Sequence, residues 1–247
     1  DLYSKVQAPI MVTDPKSAET IKYAANAFLA SKLSFINAVA NLCEVVGADV
    51  NDVVLGMGYD HRIGKEFLHP GPGWGGSCFP KDTVALARIA EEAGYDFTFL
   101  REVLRVNDEQ FDRSAQKILD VLGDNPVGKR VGVWGLTFKA GTDDLRQSPS
   151  LEVVKRLVAV GVEVTGFDPA VKGPIPELPE LQVTEDPYAA VKDADVLAVL
   201  TEWDDFRWLD LDVVADQMVG RAVIDGRNLL DSHQIKQRGF SYRGVGR

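Results

Sequence analysis

The residue best suited to covalent chemistry in this 247-residue chain is Cys78, set in the run GPGWGGSCFPKD from Gly71 to Asp82. Four of those twelve residues are glycine, which tolerates positive φ and lets backbone approach a ligand closely. The thiol is therefore presented rather than packed. Pro80, Lys81 and Asp82 are expected to open a helix directly behind it, and a helix N-terminus with a neighbouring lysine is a setting in which cysteine reacts as a nucleophile. Cys43 lies instead on an apolar helical stripe and reads as a small core residue.

Several chemistries suit such a thiol. A cysteine hydrolase would want a histidine partner, and His61 and His69 precede Cys78 closely, but no third, orienting group is legible. Peroxide sensing would want a resolving cysteine, for which Cys43 is badly placed. Aldehyde capture is the third: the thiolate attacks a carbonyl, the thiohemiacetal loses hydride to become a thioester, and water releases an acid. Two cysteines and three histidines without CxxC or paired ligand spacing predict neither a disulfide framework nor a metal site.

The elements that must position this thiol fall into two halves. After Asp14 and Pro15, which read as a cap and a first helical turn, no Pro or Gly interrupts the chain until Gly47. Ile21, Ala24, Phe28, Leu29, Leu33, Ile36, Ala40 and Cys43 mark an apolar stripe at helical spacing. Roughly 30 residues at ~1.5 Å each give a helix about 45 Å long, enough to span two domains or to organise a homodimer. Shorter helices are expected after Asp49, from Asp82 to Ala93, and from about Thr98 to Leu122. Lys22 and Asn26, four apart, share one face of the long helix.

GDNPVGKR, Gly123 to Arg130, reads as a domain boundary, and from Arg130 short apolar strands alternate with helices. That alternation predicts a Rossmann-like, doubly wound parallel sheet of the α/β class, with ligands at the carboxyl ends of its strands. The expected division is a linker or domain remnant at 1–14, a helical central domain at 15–124 and the Rossmann-like domain at 125–247. Gly132 and Gly135 give GxxG where a dinucleotide fingerprint needs GxGxxG. Asp168 after the second strand is left with two readings, a ribose contact or a turn cap. GPIPELPE, Gly173 to Glu180, reads as a plain surface connection.

The net charge of −10 argues against nucleic acid or an anionic membrane as a partner. No uninterrupted run of about 18 apolar residues is present, and DLYSKVQAPI has no signal- or transit-peptide character, so the expectation is a cytoplasmic protein.

GWGGSCFPKD closely resembles the active-site cysteine motif of the UDP-glucose/GDP-mannose dehydrogenase family, and more the UDP-glucose than the GDP-mannose branch because Phe79 stands where the latter tends to have Leu. SAETIKYAANAFLASKLSFINAVANLCE resembles the family's central helix, and FKAGTDDLRQSPS and VIDGRN resemble landmarks of its C-terminal nucleotide-binding domain. The resemblance implies NAD-dependent oxidation of the C6 alcohol of UDP-glucose to the acid, through a Cys78 thioester. It further implies Lys22 as oxyanion stabiliser, Asn26 as a positioning group and Asp82 as the residue that orders the hydrolytic water. Phe67, Leu68, His69, Pro70, Gly71, Trp74 and Gly75 would hold the sugar, Phe138 the uridine, and Lys139 and Arg227 the diphosphate. Arg62 would reach a neighbouring subunit's site, and Lys81 and Arg146 would sit near NAD. Family members begin with a separate NAD-binding domain that this chain does not resemble, so little turnover is expected of it alone. The alternatives are an inactive nucleotide-sugar-binding or dimerisation module and a GDP-mannose dehydrogenase.

Overall fold

The structure is a computed structural model that describes Lys5 and residues 7–247, so part of the expected linker at 1–14 lies outside the described residues. Helix α1, Pro15–Val46, starts where Asp14 accepts a hydrogen bond from the Ser17 amide at 3.0 Å and ends at Gly47, whose φ of 75° no β-carbon-bearing residue adopts cheaply. Helices α2 (Val50–Gly58), α3 (Phe79–Glu92) and α4 (Thr98–Leu122) complete the helical half. α3 begins three residues earlier than expected, with Cys78 itself as its N-cap. By length and composition α1 is apolar enough to cross a membrane, its best window having a mean hydropathy of 1.3. Here Lys22 and Asn26 bond to α3, while Ser34 and Asn37 bond to α4 and the glycine run, so α1 serves as a scaffold of the globular unit.

The second half is a six-stranded, wholly parallel sheet of β1 (Arg130–Trp134), β2 (Glu163–Phe167), β3 (Gln182–Thr184), β4 (Val196–Val199), β5 (Ala222–Asp225) and β6 (Ser241–Arg243). Its order is β3-β2-β1-β4-β5-β6. This is the doubly wound order, with the switch point between β1 and β4. Helix α5, Pro149–Ala159, covers one face together with the end of α4, while α6 (Pro187–Ala190), α7 (Leu211–Gln217) and α8 (Ser232–Gln237) lie on the other.

β1 is shorter than the sequence RVGVWGLTF suggests. It stops at Trp134 because Gly135 turns with φ 95°, and Asp168 then accepts from the Leu136 and Thr137 amides and from the Thr137 hydroxyl. Asp168 is 1% exposed and also takes the Trp203 indole N–H. It is a turn cap, and the ribose reading falls. The Gly173 to Glu180 segment is likewise more than a surface connection: Val171, Ile175, Leu178 and Leu181 recur every three or four residues through successive turns and enter the core.

The halves share elements. Ala115, Ile118 and Leu122 of α4 pack with the sheet's core, and at the other end of the chain Val245 packs with Ile36, Ala40 and Cys43 of α1. The Gly246 amide donates to Glu44, and its carbonyl accepts from the Val50 amide. The glycine run is thus held between two bodies tied at both ends.

Candidate active site

Asp82 lies in the first turn of α3, one turn behind Cys78, and its amide donates to the Cys78 carbonyl at 3.0 Å. Only 2% exposed, it draws three donors together: Lys22 Nζ at 3.1 Å and Asn26 Nδ2 at 2.5 Å on one oxygen, and Lys81 Nζ at 2.5 Å on the other. The Lys81 contact foremost, then Lys22 and Asn26, hold its carboxyl below the usual carboxylate range against the opposing effect of burial. Lys81 is in turn held cationic chiefly by Asp82 and to a smaller degree by Cys78; Arg146 is held so chiefly by Asp144, with Cys78 again contributing. Cys78 is exposed, Cys43 buried.

Beside this cluster lies a cavity of about 620 Å³. Phe67, His69, Pro70, Gly71, Trp74, Gly75 and Phe79 line it from the helical half, and Phe138, Lys139 and Arg227 line it from segments that follow β1 and β5. The carboxyl ends of the strands therefore do face the ligand-sized space. Lys139 lies 5.4 Å from the centre of the Phe138 ring. Arg227 is fixed through Nε, which donates to the Leu200 carbonyl at 2.9 Å and lies 3.1 Å from Glu202, with Nη1 beside Gly71. Asp225, fully buried, holds this turn by accepting from the Arg227 and Leu230 amides.

Cys78, Lys22, Asn26, Lys81 and Asp82 lie next to the cavity without lining it, and Arg62, Leu68 and Arg146 are likewise outside its lining. Arg62 pairs with Asp60 and lines a separate apolar groove against α1. The Leu68 side chain, 1% exposed, packs with Ile36, Ala40 and Val50, because the chain turns at Phe67 with φ 61° and sends successive side chains apart. Arg146 is paired with Asp144 at 2.8 Å. Glu66, Glu202 and Arg207 line the cavity although they lie in no quoted motif, and Asn37 and Asn228 line it from within quoted runs in which they were not singled out. Their polar side chains directly after strands β4 and β5 are the signal that could have pointed to Glu202 and Asn228.

These residues do not build a dinucleotide site. Beyond the missing third glycine, Gly135 is pressed so closely on Thr201 that a β-carbon would come within 2.4 Å of the Thr201 Cβ, and the oxygens of Asp168 are already taken. Among the described residues no cluster of His, Cys, Asp and Glu could hold a metal ion.

The model of the UDP-glucose/GDP-mannose dehydrogenase family's central domain matches residues 16–109, and that of its UDP-binding domain matches residues 132–232. A UDP-glucose 6-dehydrogenase of Rhizobium meliloti is 43% identical over 98% of the chain and 55% of its own length. UDP-glucose 6-dehydrogenase TuaD of Bacillus subtilis is 42% identical over 100% and 54%. A solved UDP-glucose dehydrogenase from Pyrobaculum islandicum superposes with a TM-score of 0.85 at 36% identity, covering 99% of this chain and 54% of that one. The chain spans about half the length of the curated relatives it matches. With the two family domains matched in order along one chain and the cavity lying between them, the chain belongs to the UDP-glucose/GDP-mannose dehydrogenase family.

Proposed function

We propose that this chain is the substrate-binding and thiol-bearing portion of an NAD-dependent UDP-glucose 6-dehydrogenase. The observation that carries the reading is a junction: Gly75 and Phe79, which flank Cys78 in sequence, line a cavity whose far side is Phe138, Lys139 and Arg227. Two cations there suit a diphosphate, the aromatic ring suits a uracil face, and the glycine backbone suits a hexose. A hexose so placed would lie next to Phe79, and so within one residue of Cys78 in the chain.

Cys78 would add to the C6 aldehyde, and the oxygen that gains charge would meet the Lys22 ammonium and the Asn26 amide. Both are oriented by Asp82, so one carboxylate sets the place of two stabilising groups. A carboxylate with three donors and a lowered pKa is a weak base. Asp82 therefore orders the water that opens the thioester more than it deprotonates it. NAD would supply the acceptor for the two hydrides; the residues of this chain would supply capture, charge stabilisation and release, and we expect little or no turnover from it alone. Reliance on a free thiol suits a reducing compartment such as the cytoplasm.

We further propose a homodimer formed across α1. Ile21, Phe28, Phe35 and Leu42 are all exposed and seven residues apart, which aligns them along one side of the helix. Arg62 borders the same face through the groove it shares with Phe28 and Phe35, a position from which it could reach a second copy.

Alkylation tests the central reading. Iodoacetamide should label Cys78 and spare Cys43, and saturating UDP-glucose should slow the labelling by roughly tenfold or more, as occlusion of a reactive thiol would. Labelling at the same rate with and without the sugar nucleotide would contradict it.

A further inference from the structure

Backbone groups of the glycine run are gripped by buried carboxamides, two of them on α4 and one on α1. Asn107 of α4 accepts from the Trp74 amide through Oδ1 at 2.8 Å and donates to the Trp74 carbonyl through Nδ2 at 2.9 Å. Gln110, one turn on, donates to the Gly71 carbonyl at 2.8 Å, and Asn37 of α1 accepts from the Gly71 amide at 2.8 Å. Gln110 is itself held by Asn41, and the Trp74 indole N–H by Ser34. Asn37, Asn107 and Gln110 are all buried.

A carboxamide accepts and donates from one rigid plane, so Asn107 pairs with both backbone groups of a single residue as a neighbouring strand would; neither a carboxylate nor an ammonium can do both. Close approach requires Gly73, where φ is 134° and a β-carbon would lie 2.3 Å from the Phe111 ring. On the opposite side, Gly73 and Gly75 line the cavity and, among the described residues, lend no backbone group to a protein hydrogen bond. Polar backbone left unpaired beside a cavity is backbone available to a ligand.

We infer that Asn107, with Gln110 and Asn37, is a positioning residue that sets the Gly71–Gly75 backbone for the hydroxyls of the hexose. The uridine diphosphate, held by Phe138, Lys139 and Arg227, does not depend on it. The inference rests on the reading of the cavity as a nucleotide-sugar site, and it assigns α4, which carries none of the catalytic groups, a role in choosing the sugar.

The test compares the 247-residue chain with Asn107→Leu, close in size but unable to form either hydrogen bond, in titrations with UDP-glucose and with UDP. Asn107→Leu should weaken UDP-glucose binding by roughly tenfold or more, the scale set by two lost buried hydrogen bonds, and leave UDP binding within about twofold. In hydrogen exchange, the Trp74 amide should exchange at least about tenfold faster, with β1 and β4 unchanged. Gln110→Ala should show the same split more weakly, and it serves if Asn107→Leu does not fold. Equal losses for both ligands, unchanged UDP-glucose binding, or unchanged exchange at Trp74 would each overturn the inference. If the parent chain binds neither ligand, the nucleotide-sugar reading fails with it, whereas unchanged exchange at Trp74 with normal ligand binding defeats the cradle alone.

Discussion

Asp82 takes its partners from two helices, Lys22 and Asn26 from α1 and Lys81 from its own α3, and so joins them beside the thiol. The i, i+4 spacing of Lys22 and Asn26 is legible in sequence because it is local. Their meeting with Asp82 is not, since the partners lie 60 and 56 residues apart and nothing in the spacing specifies the fold between them. Replacing Asp82 by Ala should cost about 1–3 kcal/mol of stability at neutral pH. The lower end is expected because both lysine side chains are largely exposed. The sign of the pH dependence follows from the lowered pKa: the stabilisation is complete above the unfolded carboxyl's value and is lost as pH falls through the lower folded one. The Tm difference between the parent and Asp82→Ala should therefore hold from pH 7 to about 5 and shrink below about 4. A difference that grows on acidification would contradict this placement.

At the scale of elements, the long helices and the inner strands were readable because α1, α4, β1, β2, β4 and β5 carry sustained periodicity or continuous apolar runs. The edge strands β3 and β6 are three residues each and only partly buried, so they leave no pattern in the sequence. The segment between β1 and α5 was visible as a motif but not as a contact. Its Gln147, at φ 47°, presents a carbonyl to the Gly76 amide at 3.2 Å, while Phe138 lies against Gly76. A β-carbon on Gly75 would come within 1.9 Å of that same carbonyl oxygen, and backbone cannot yield as a side chain can. Gly75→Ala should destabilise the chain by about 1–3 kcal/mol and alter the rate of Cys78 alkylation, because the run carrying the thiol must move. Parent-like melting and alkylation would show that the two halves do not meet here.

For the whole molecule, the parallel sheet was foreseeable from strand and helix alternation, whereas the return of Val245 to α1 was not: a single apolar residue near Gly244 and Gly246 carries no periodicity. Exposure also divides the apolar stripe of α1 into faces that sequence alone left merged. Of that stripe, Ile36, Ala40 and Cys43 enter the core, while Ile21 and Phe28 face outward beside Phe35 and Leu42. Phe28→Asp with Phe35→Asp should convert a dimer to a monomer in sedimentation at micromolar concentrations while keeping the parent's circular dichroism. A parent chain that sediments as a monomer would remove the proposed interface.

The proposed function requires the two halves together to hold a nucleotide sugar with its C6 near Cys78. Calorimetric titration of the chain with UDP-glucose, against GDP-mannose and NAD as parallel titrants, tests it most directly. Saturable binding of UDP-glucose, at least about tenfold tighter than that of GDP-mannose and without measurable NAD binding, is the predicted result. No binding of UDP-glucose, or a preference for GDP-mannose, would contradict it.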